Sequence, residues 1–321
     1  MRYLIFLALI CQVEAHADVL YETKQTKVGN SQLTSAEQQQ LYKIELKKFE
    51  DLTTLIDNKL LNEYIDELSA QKKKDRDGVE EELLKTEAVT DREMKEFYDK
   101  NKVLIPYPLE TVATELRPKL YEEKKNLKRQ QVIADIKKKK GFKLHLQEPT
   151  KPFFEIVLTK EMPEKGNANS EIVLVEFGDY RCPYCRKAYP LIKDVLASVG
   201  KKVKFVYLDY PLQEVGPSKL LAQGAYCANK YGKFWQYHEQ AFSTAEPANY
   251  DFPLKFAKEQ KIDEVKFQEC MNSTEAEKYV DASRAQGVKI GLESTPSFYL
   301  NGKQISLDNG AKGVIDEIKK L

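Results

Sequence analysis

Apolar residues recur every three or four positions over the first half of the chain, and form short unbroken blocks over the second. Tyr42, Leu46, Phe49, Leu52, Ile56, Leu60, Tyr64 and Leu68 mark one helical stripe. Leu41, Ile44 and Leu55 widen it on one side, Leu61 and Ile65 on the other. The spacing predicts a long amphipathic helix, with Ser35 as its N-cap. The charged run 72–77 reads as a solvated turn or helix face. Thr90-Asp-Arg-Glu93 is a capping box opening a short helix through Tyr98. Pro106 and Pro108 break the chain. Leu109, Val112, Leu116, Leu120, Leu127, Ile133 and Ile136 then mark a last long helix, which Pro118 is expected to kink. It ends in Lys137–Lys140 and Gly141, as a helix C-terminus favours, so this basic run is read as an end signal rather than a binding patch.

In the second half the period changes. Ile172–Phe177 is an apolar strand interrupted by one acid, Glu176. Val203–Leu208 is a strand with both faces covered. Phe298–Leu300, the turn signal Asn301-Gly302 and a return strand from Ile305 predict a hairpin. Phe153–Leu158 is expected to be a first strand, and 164–170 an exposed turn. Residues 217–288 are helical, too long for one crossover, and residues 311–321 close the chain as a helix. Strand, helix, strand, helices, hairpin and helix together predict an α/β domain.

The chain has 321 residues, room for two domains, and its 51 basic and 50 acidic residues leave a net charge of +1. Nothing in that balance selects for nucleic acid. A mean hydropathy of −0.56 is low for a compact globule and agrees with a long solvated helical part. At the N-terminus, Arg2, the apolar run Tyr3–Ile10 and Ala15-His-Ala17 read as a signal peptide cleaved after Ala17. The run is too short to span a bilayer. Cys11 invites a lipid anchor, but Ile10 stands where such signals need a small residue. Export places the protein in an oxidising compartment, where disulfides persist.

The chemistry lies in Cys182-Pro-Tyr-Cys185, between the strand of Glu176 and a helix running to Gly200. Asp179 begins the turn, and Pro183 suits a first helical turn. A thiol there faces unpaired backbone N–H groups and the positive end of the helix dipole, which favour the thiolate. The spacing lets Cys182 and Cys185 form a disulfide, with Cys182 as the exposed attacker and Cys185 as the covered resolving thiol. A zinc knuckle would need a second such pair or a His pair; the chain has three His, none at ligand spacing. No metal and no cofactor is expected. His238 is read as a helix residue without catalytic duty, and Trp235 as a core anchor.

These residues resemble the active site of the thioredoxin superfamily, and most of all its DsbA/DsbG-like (ScsC-like) branch, over residues 153–321. Pro183-Tyr184 is similar to the dipeptide of DsbG-like and ScsC-like proteins. Glu176, six residues before Cys182, stands where the family carries a buried acid; desolvation should raise its pKa and suit it to move the proton of Cys185. Thr295-Pro296 resembles the cis-proline loop, whose backbone would pair with an extended client. Tyr184, Thr295 and Pro296 are therefore expected to bind substrate. The resemblance implies a thioredoxin fold with a helical insertion at about 217–288, and a structural disulfide between Cys227 and Cys270; two buried free thiols are the alternative. Residues 35–148 resemble the helical region of SurA-type chaperones, on Val89–Asn101 and on Phe142–Pro149 as a strand leaving the helices.

The expected organisation is a signal peptide (1–17), a loose tail (18–34), an all-α region (35–148) and a DsbA-like thioredoxin domain (149–321). The expected activity is thiol–disulfide exchange on unfolded or misoxidised secreted proteins in the periplasm, as a disulfide isomerase or reductase. A DsbA-type oxidase, or a chaperone with a secondary redox domain, are the alternatives. A membrane redox partner is expected. The helices are expected to join copies into a homo-oligomer, with client binding or a passive spacer as the other roles.

Overall fold

The structure, a computed structural model, describes residues 19–22, 27–29, 33–244 and 247–321. The expected signal peptide, its cleavage point and Cys11 lie outside the described residues. Within the expected loose tail, β1 (Val19–Glu22) and β2 (Lys27–Gly29) pair as antiparallel strands, a correction to that reading.

Four helices follow: α1 (Ser35–Lys72), α2 (Arg76–Leu84), α3 (Asp91–Asn101) and α4 (Leu109–Lys140). The N-cap of α1 is Thr34, not Ser35: its hydroxyl accepts the Glu37 N–H while the Glu37 carboxylate accepts the Thr34 N–H. Thr90 and Glu93 form the same reciprocal pair at α3. The α4 helix continues past Pro118, and its last turn closes on Gly141 in the left-handed region.

Leu61 and Ile65 of α1, Val79 of α2, and Val132, Ile133 and Ile136 of α4 form a small separate core. The stripe expected along all of α1 is thus buried only in its second half, because α2 and the end of α4 cover only that half. Ile44, Leu55 and Leu127 remain 68%, 65% and 58% exposed.

The second half is built on one mixed sheet. Its strands are β3 (Glu164–Gly166), β4 (Val173–Gly178), β5 (Lys204–Asp209), β6 (Ser297–Leu300) and β7 (Lys303–Ile305), in the order β3-β5-β4-β6-β7. Only β4 and β5 run parallel; the other neighbours are antiparallel. Two expectations are corrected. Phe153–Leu158 makes one bridge, Phe153 to Lys303, and no strand: Phe154 is buried, but Phe153 and Val157 face solvent. Instead the expected exposed turn supplies β3, held by the β5 backbone although all its side chains are exposed. Residues 142–149 form no strand either, and join neither of the described sheets. The Asn301-Gly302 turn matches its expectation, both residues taking positive φ (46° and 76°) as a hairpin turn of this type requires.

Alternation along the strands separates two cores. Val175, Phe177, Val206, Leu208 and Tyr299 face Phe154, Ile290 and Leu292. Leu174, Phe205, Tyr207, Phe298 and Leu300 face the other way, into the larger core. That core is closed by α5 (Pro183–Val199), α6 (Pro217–Lys230), α7 (Phe234–Ser243), α8 (Phe252–Glu259), α9 (Glu264–Met271) and α11 (Gly310–Lys319), while α10 (Thr274–Lys289) packs on α6. This is an α/β thioredoxin fold preceded by a helical region. Glu176, in step with Leu174, is thereby set on the face that carries the cysteines.

Candidate redox site

Cys182 is the N-cap of α5, in extended backbone, with Pro183 at the first helical position. Its carbonyl accepts the first helical hydrogen bond, from Arg186 N–H at 3.1 Å. The turn before it is fixed by Asp179, whose buried carboxylate accepts the N–H groups of Arg181 (2.8 Å) and Leu212 (2.9 Å). The Asp179 carbonyl accepts the Cys182 N–H at 3.0 Å, and the Asp179 N–H points at Cys185 Sγ from 3.5 Å.

Both thiols are free. Cys185 is fully covered, as expected, but Cys182 is only 5% exposed, which corrects its reading as an exposed attacker. The reason is the loop opposite. The Thr295–Pro296 peptide is cis, Ser297 Oγ donates to Ser294 O across the loop at 2.8 Å, and the Cys182 thiol donates to Thr295 O at 3.2 Å. Tyr184, between the cysteines, is by contrast 61% exposed.

The electrostatics divide the pair. The Cys182 pKa is lowered to about 6, first by a hydrogen bond from the Cys185 thiol; burial opposes this, while the Thr295 hydroxyl and the Cys185 and Tyr184 amides add to it. The buried Thr295 hydroxyl makes no hydrogen bond of ordinary geometry, and its effect on Cys182 ranks behind that of the Cys185 thiol. Cys185 moves the other way, raised by burial and then by holding its proton toward Cys182. Glu176 is raised to about 8, by burial first and the Cys182 charge second. At neutral pH this favours the Cys182 thiolate, where an unperturbed thiol is mostly protonated.

Cys227 on α6 and Cys270 on α9 are joined as a disulfide, 43 residues apart. Among the described residues no cluster of three or more His, Cys, Asp or Glu side chains has a metal-holding arrangement. Trp235 packs on the larger core and donates to Glu164 O. His238 is buried among aromatic rings, with its pKa pushed down to about 3 by burial and then by Lys165, and its Nδ1 lies 3.3 Å from the Tyr180 hydroxyl.

Two groups near the site escaped the sequence reading. Tyr180 is buried against Tyr207, Tyr237, His238 and Phe242. Asp209, ending β5, is a buried carboxyl whose pKa is raised by burial and then by Asp179. An acid that directly follows the apolar run Phe205–Leu208 was the available signal. For Tyr180 there was none beyond its place in the turn.

A family model described as Thioredoxin matches residues 159–320, half of the chain, and spans every residue of this site. The chain belongs to the thioredoxin family. Among curated relatives, a Na(+)/H(+) antiporter NhaA 1 of Mycobacterium sp. (strain KMS) is 28% identical over 144 residues. That match covers 44% of this chain but only 23% of the antiporter, so the chain spans about a quarter of the relatives it matches. Antiport is said of those proteins; no helix among the described residues here is long and apolar enough to cross a membrane. Among solved structures, a thioredoxin-like oxidoreductase from Silicibacter pomeroyi DSS-3 is 26% identical, covering 50% of this chain and 92% of its own, with a TM-score of 0.47. The thiol-disulfide exchange protein alpha-DsbA2 from Wolbachia pipientis is 23% identical, covering 50% and 87%, with a TM-score of 0.45.

Proposed function

We propose that this thioredoxin-family chain is a periplasmic thiol–disulfide oxidoreductase acting on exported proteins, as a disulfide isomerase or reductase. The observation that carries this reading is the opposed pair: a thiolate-favouring Cys182 at a helix N-terminus over a covered Cys185 and a buried Glu176.

In the proposed reaction the Cys182 thiolate attacks one sulfur of a client disulfide. A Cys182–client S–S bond forms, the client S–S bond breaks, and the other client sulfur leaves as a thiolate. Once Cys182 is bonded its charge is gone, which removes the second cause of the raised Glu176 pKa. Glu176, more readily ionised with its own proton lost to solvent, then takes the Cys185 proton; the Cys185 thiolate attacks the Cys182 sulfur, the Cys182–client bond breaks, and the client sulfur leaves as a thiolate that is protonated from solvent. The Cys182–Cys185 disulfide that results needs a thiol reductant before the next turnover, a role for the proposed membrane partner. In isomerisation the client's own freed thiolate attacks instead, and no net electrons are exchanged. Thr295, which resembles the residue of isomerase and reductase members, supports this direction over a DsbA-type oxidase. The exposed Ile44, Leu55 and Leu127 support self-association through the N-terminal helices.

The test is reactivation of scrambled, oxidised ribonuclease beside oxidation of reduced ribonuclease. Reactivation that is lost in Cys182→Ala supports the isomerase reading. Oxidation alone supports the oxidase, and full cellular activity of Cys182→Ala would leave only a chaperone.

A further inference from the structure

The first turns of α1 do not stand apart from the redox domain. Gln39 Nε2 donates to Gln304 Oε1 at 2.9 Å, Lys43 pairs with Glu293 at 2.5 Å, and the α1 start lies over Gly291. Between them is a groove of about 560 Å³, with Gln39, Tyr42 and Leu46 on one wall and Tyr184, Leu191 and Pro296 on the other.

We infer that this groove seats the extended segment flanking a client's cysteine, and that α1 therefore sets substrate specificity; this rests on the thiol–disulfide reading above. Three observations commit it to that occupant. The groove is continuous with the reactive pair, since Tyr184 stands between the two cysteines and Pro296 follows the residue whose carbonyl holds Cys182. Its facing walls carry apolar side chains that are not closed off, Tyr42, Leu46 and Leu191 being half-buried and Tyr184 exposed, while Lys151, Lys187, Ser306 and Asp308 also line it. Gln39 lines it with a buried Oε1 that has no hydrogen-bond partner, an acceptor that a client backbone N–H would satisfy after a small turn of the amide.

The geometry also gives the length read. Positions 39, 42 and 46 lie on one helix face and span about 10 Å at the α-helical rise, which is about three residues of extended chain. The chemistry recognised is an apolar side chain within about three residues of the client cysteine. Contact with Tyr42, Leu46 and Leu191 would favour a side chain that fills the space between them over a small polar one by about tenfold.

The experiment uses the full chain and three disulfide probes: glutathione disulfide, a peptide disulfide with Leu two residues from its cysteine, and the same peptide with Ser there. The wild type is expected to prefer the Leu peptide about tenfold in kcat/KM, mainly through KM. Tyr42→Ala and Leu46→Ala on α1, and Leu191→Ala on the opposite wall, are each expected to reduce that preference to about twofold. A preference that survives all three substitutions, or is absent from the wild type while glutathione disulfide reacts, overturns the proposal alone. Faster turnover of both peptides in the α1 variants would make α1 a lid and overturns it too. No reaction with glutathione disulfide overturns the redox reading and the groove with it.

Discussion

The sulfur of Cys182 lies 3.2 Å from the carbonyl oxygen of Thr295, across 113 residues of sequence. The contact joins the N-terminus of α5 to the cis-proline loop. It buries a sulfur that sequence alone placed in solvent, and its hydrogen bond exists only while Cys182 is protonated. Ionisation removes that bond and leaves the Thr295 carbonyl without this donor.

Alkylation of Cys182 should follow a titration with midpoint near pH 6, the value to which its thiol is lowered. Cys185, covered and shifted upward, should stay unmodified in the native protein. Mass spectrometry after iodoacetamide pulses across pH checks both. A midpoint in the ordinary thiol range would remove the proposed nucleophile.

Thr295→Val keeps the backbone contact and deletes the hydroxyl that helps the thiolate. The alkylation midpoint should rise, by less than loss of the Cys185 hydrogen bond raises it in Cys185→Ala. The two variants measured side by side give that order or reverse it.

Glu176→Gln should slow release of the mixed disulfide by about 10²-fold, as loss of a proton carrier does, while leaving the first attack on a small disulfide little changed. Quenched-flow trapping separates the steps. The same variant reports on stability. A carboxyl raised to about 8 favours the protonated folded state. Its contribution is full below the ordinary carboxylate range and is lost as pH rises through about 8. Wild type should therefore weaken relative to Glu176→Gln as pH rises, by up to a few kcal/mol. Urea unfolding at several pH values measures it, and a difference independent of pH would mean that Glu176 is not held protonated.

Removing the Cys227–Cys270 bridge with a double Ala substitution should lower stability by about 4 kcal/mol, the loop-closure value for its separation of 43 residues. Alkylation of Cys182 should keep its midpoint, because the bridge ties α6 to α9, away from the loop of Thr295. Unfolding curves read the first effect and iodoacetamide the second.

Much of this was legible from pattern. The long helices, the strand carrying Glu176, the hairpin at Asn301-Gly302 and the two-cysteine turn all declare themselves through period, capping and turn chemistry, which are local. What was not legible is set by distant partners. Three exposed residues, Glu164–Gly166, become a strand only because β5 offers its edge. Phe153–Leu158 has the composition of a strand but only Lys303 opposite it. The N-terminal half of α1 has an apolar stripe without a covering helix, and its placement beside Tyr184 rests on contacts such as Gln39 to Gln304, 265 residues apart. No local pattern encodes such a pairing. The burial of Cys182 belongs to the same class.

The most direct measurement is the trapping of a covalent client adduct. Cys185→Ser, mixed with a disulfide-bearing client protein, should accumulate a mixed disulfide at Cys182, and Cys182→Ser should accumulate none. An adduct carried by Cys185 in Cys182→Ser, or no adduct in either variant, would contradict the assignment of Cys182 as attacker and Cys185 as the thiol that resolves it.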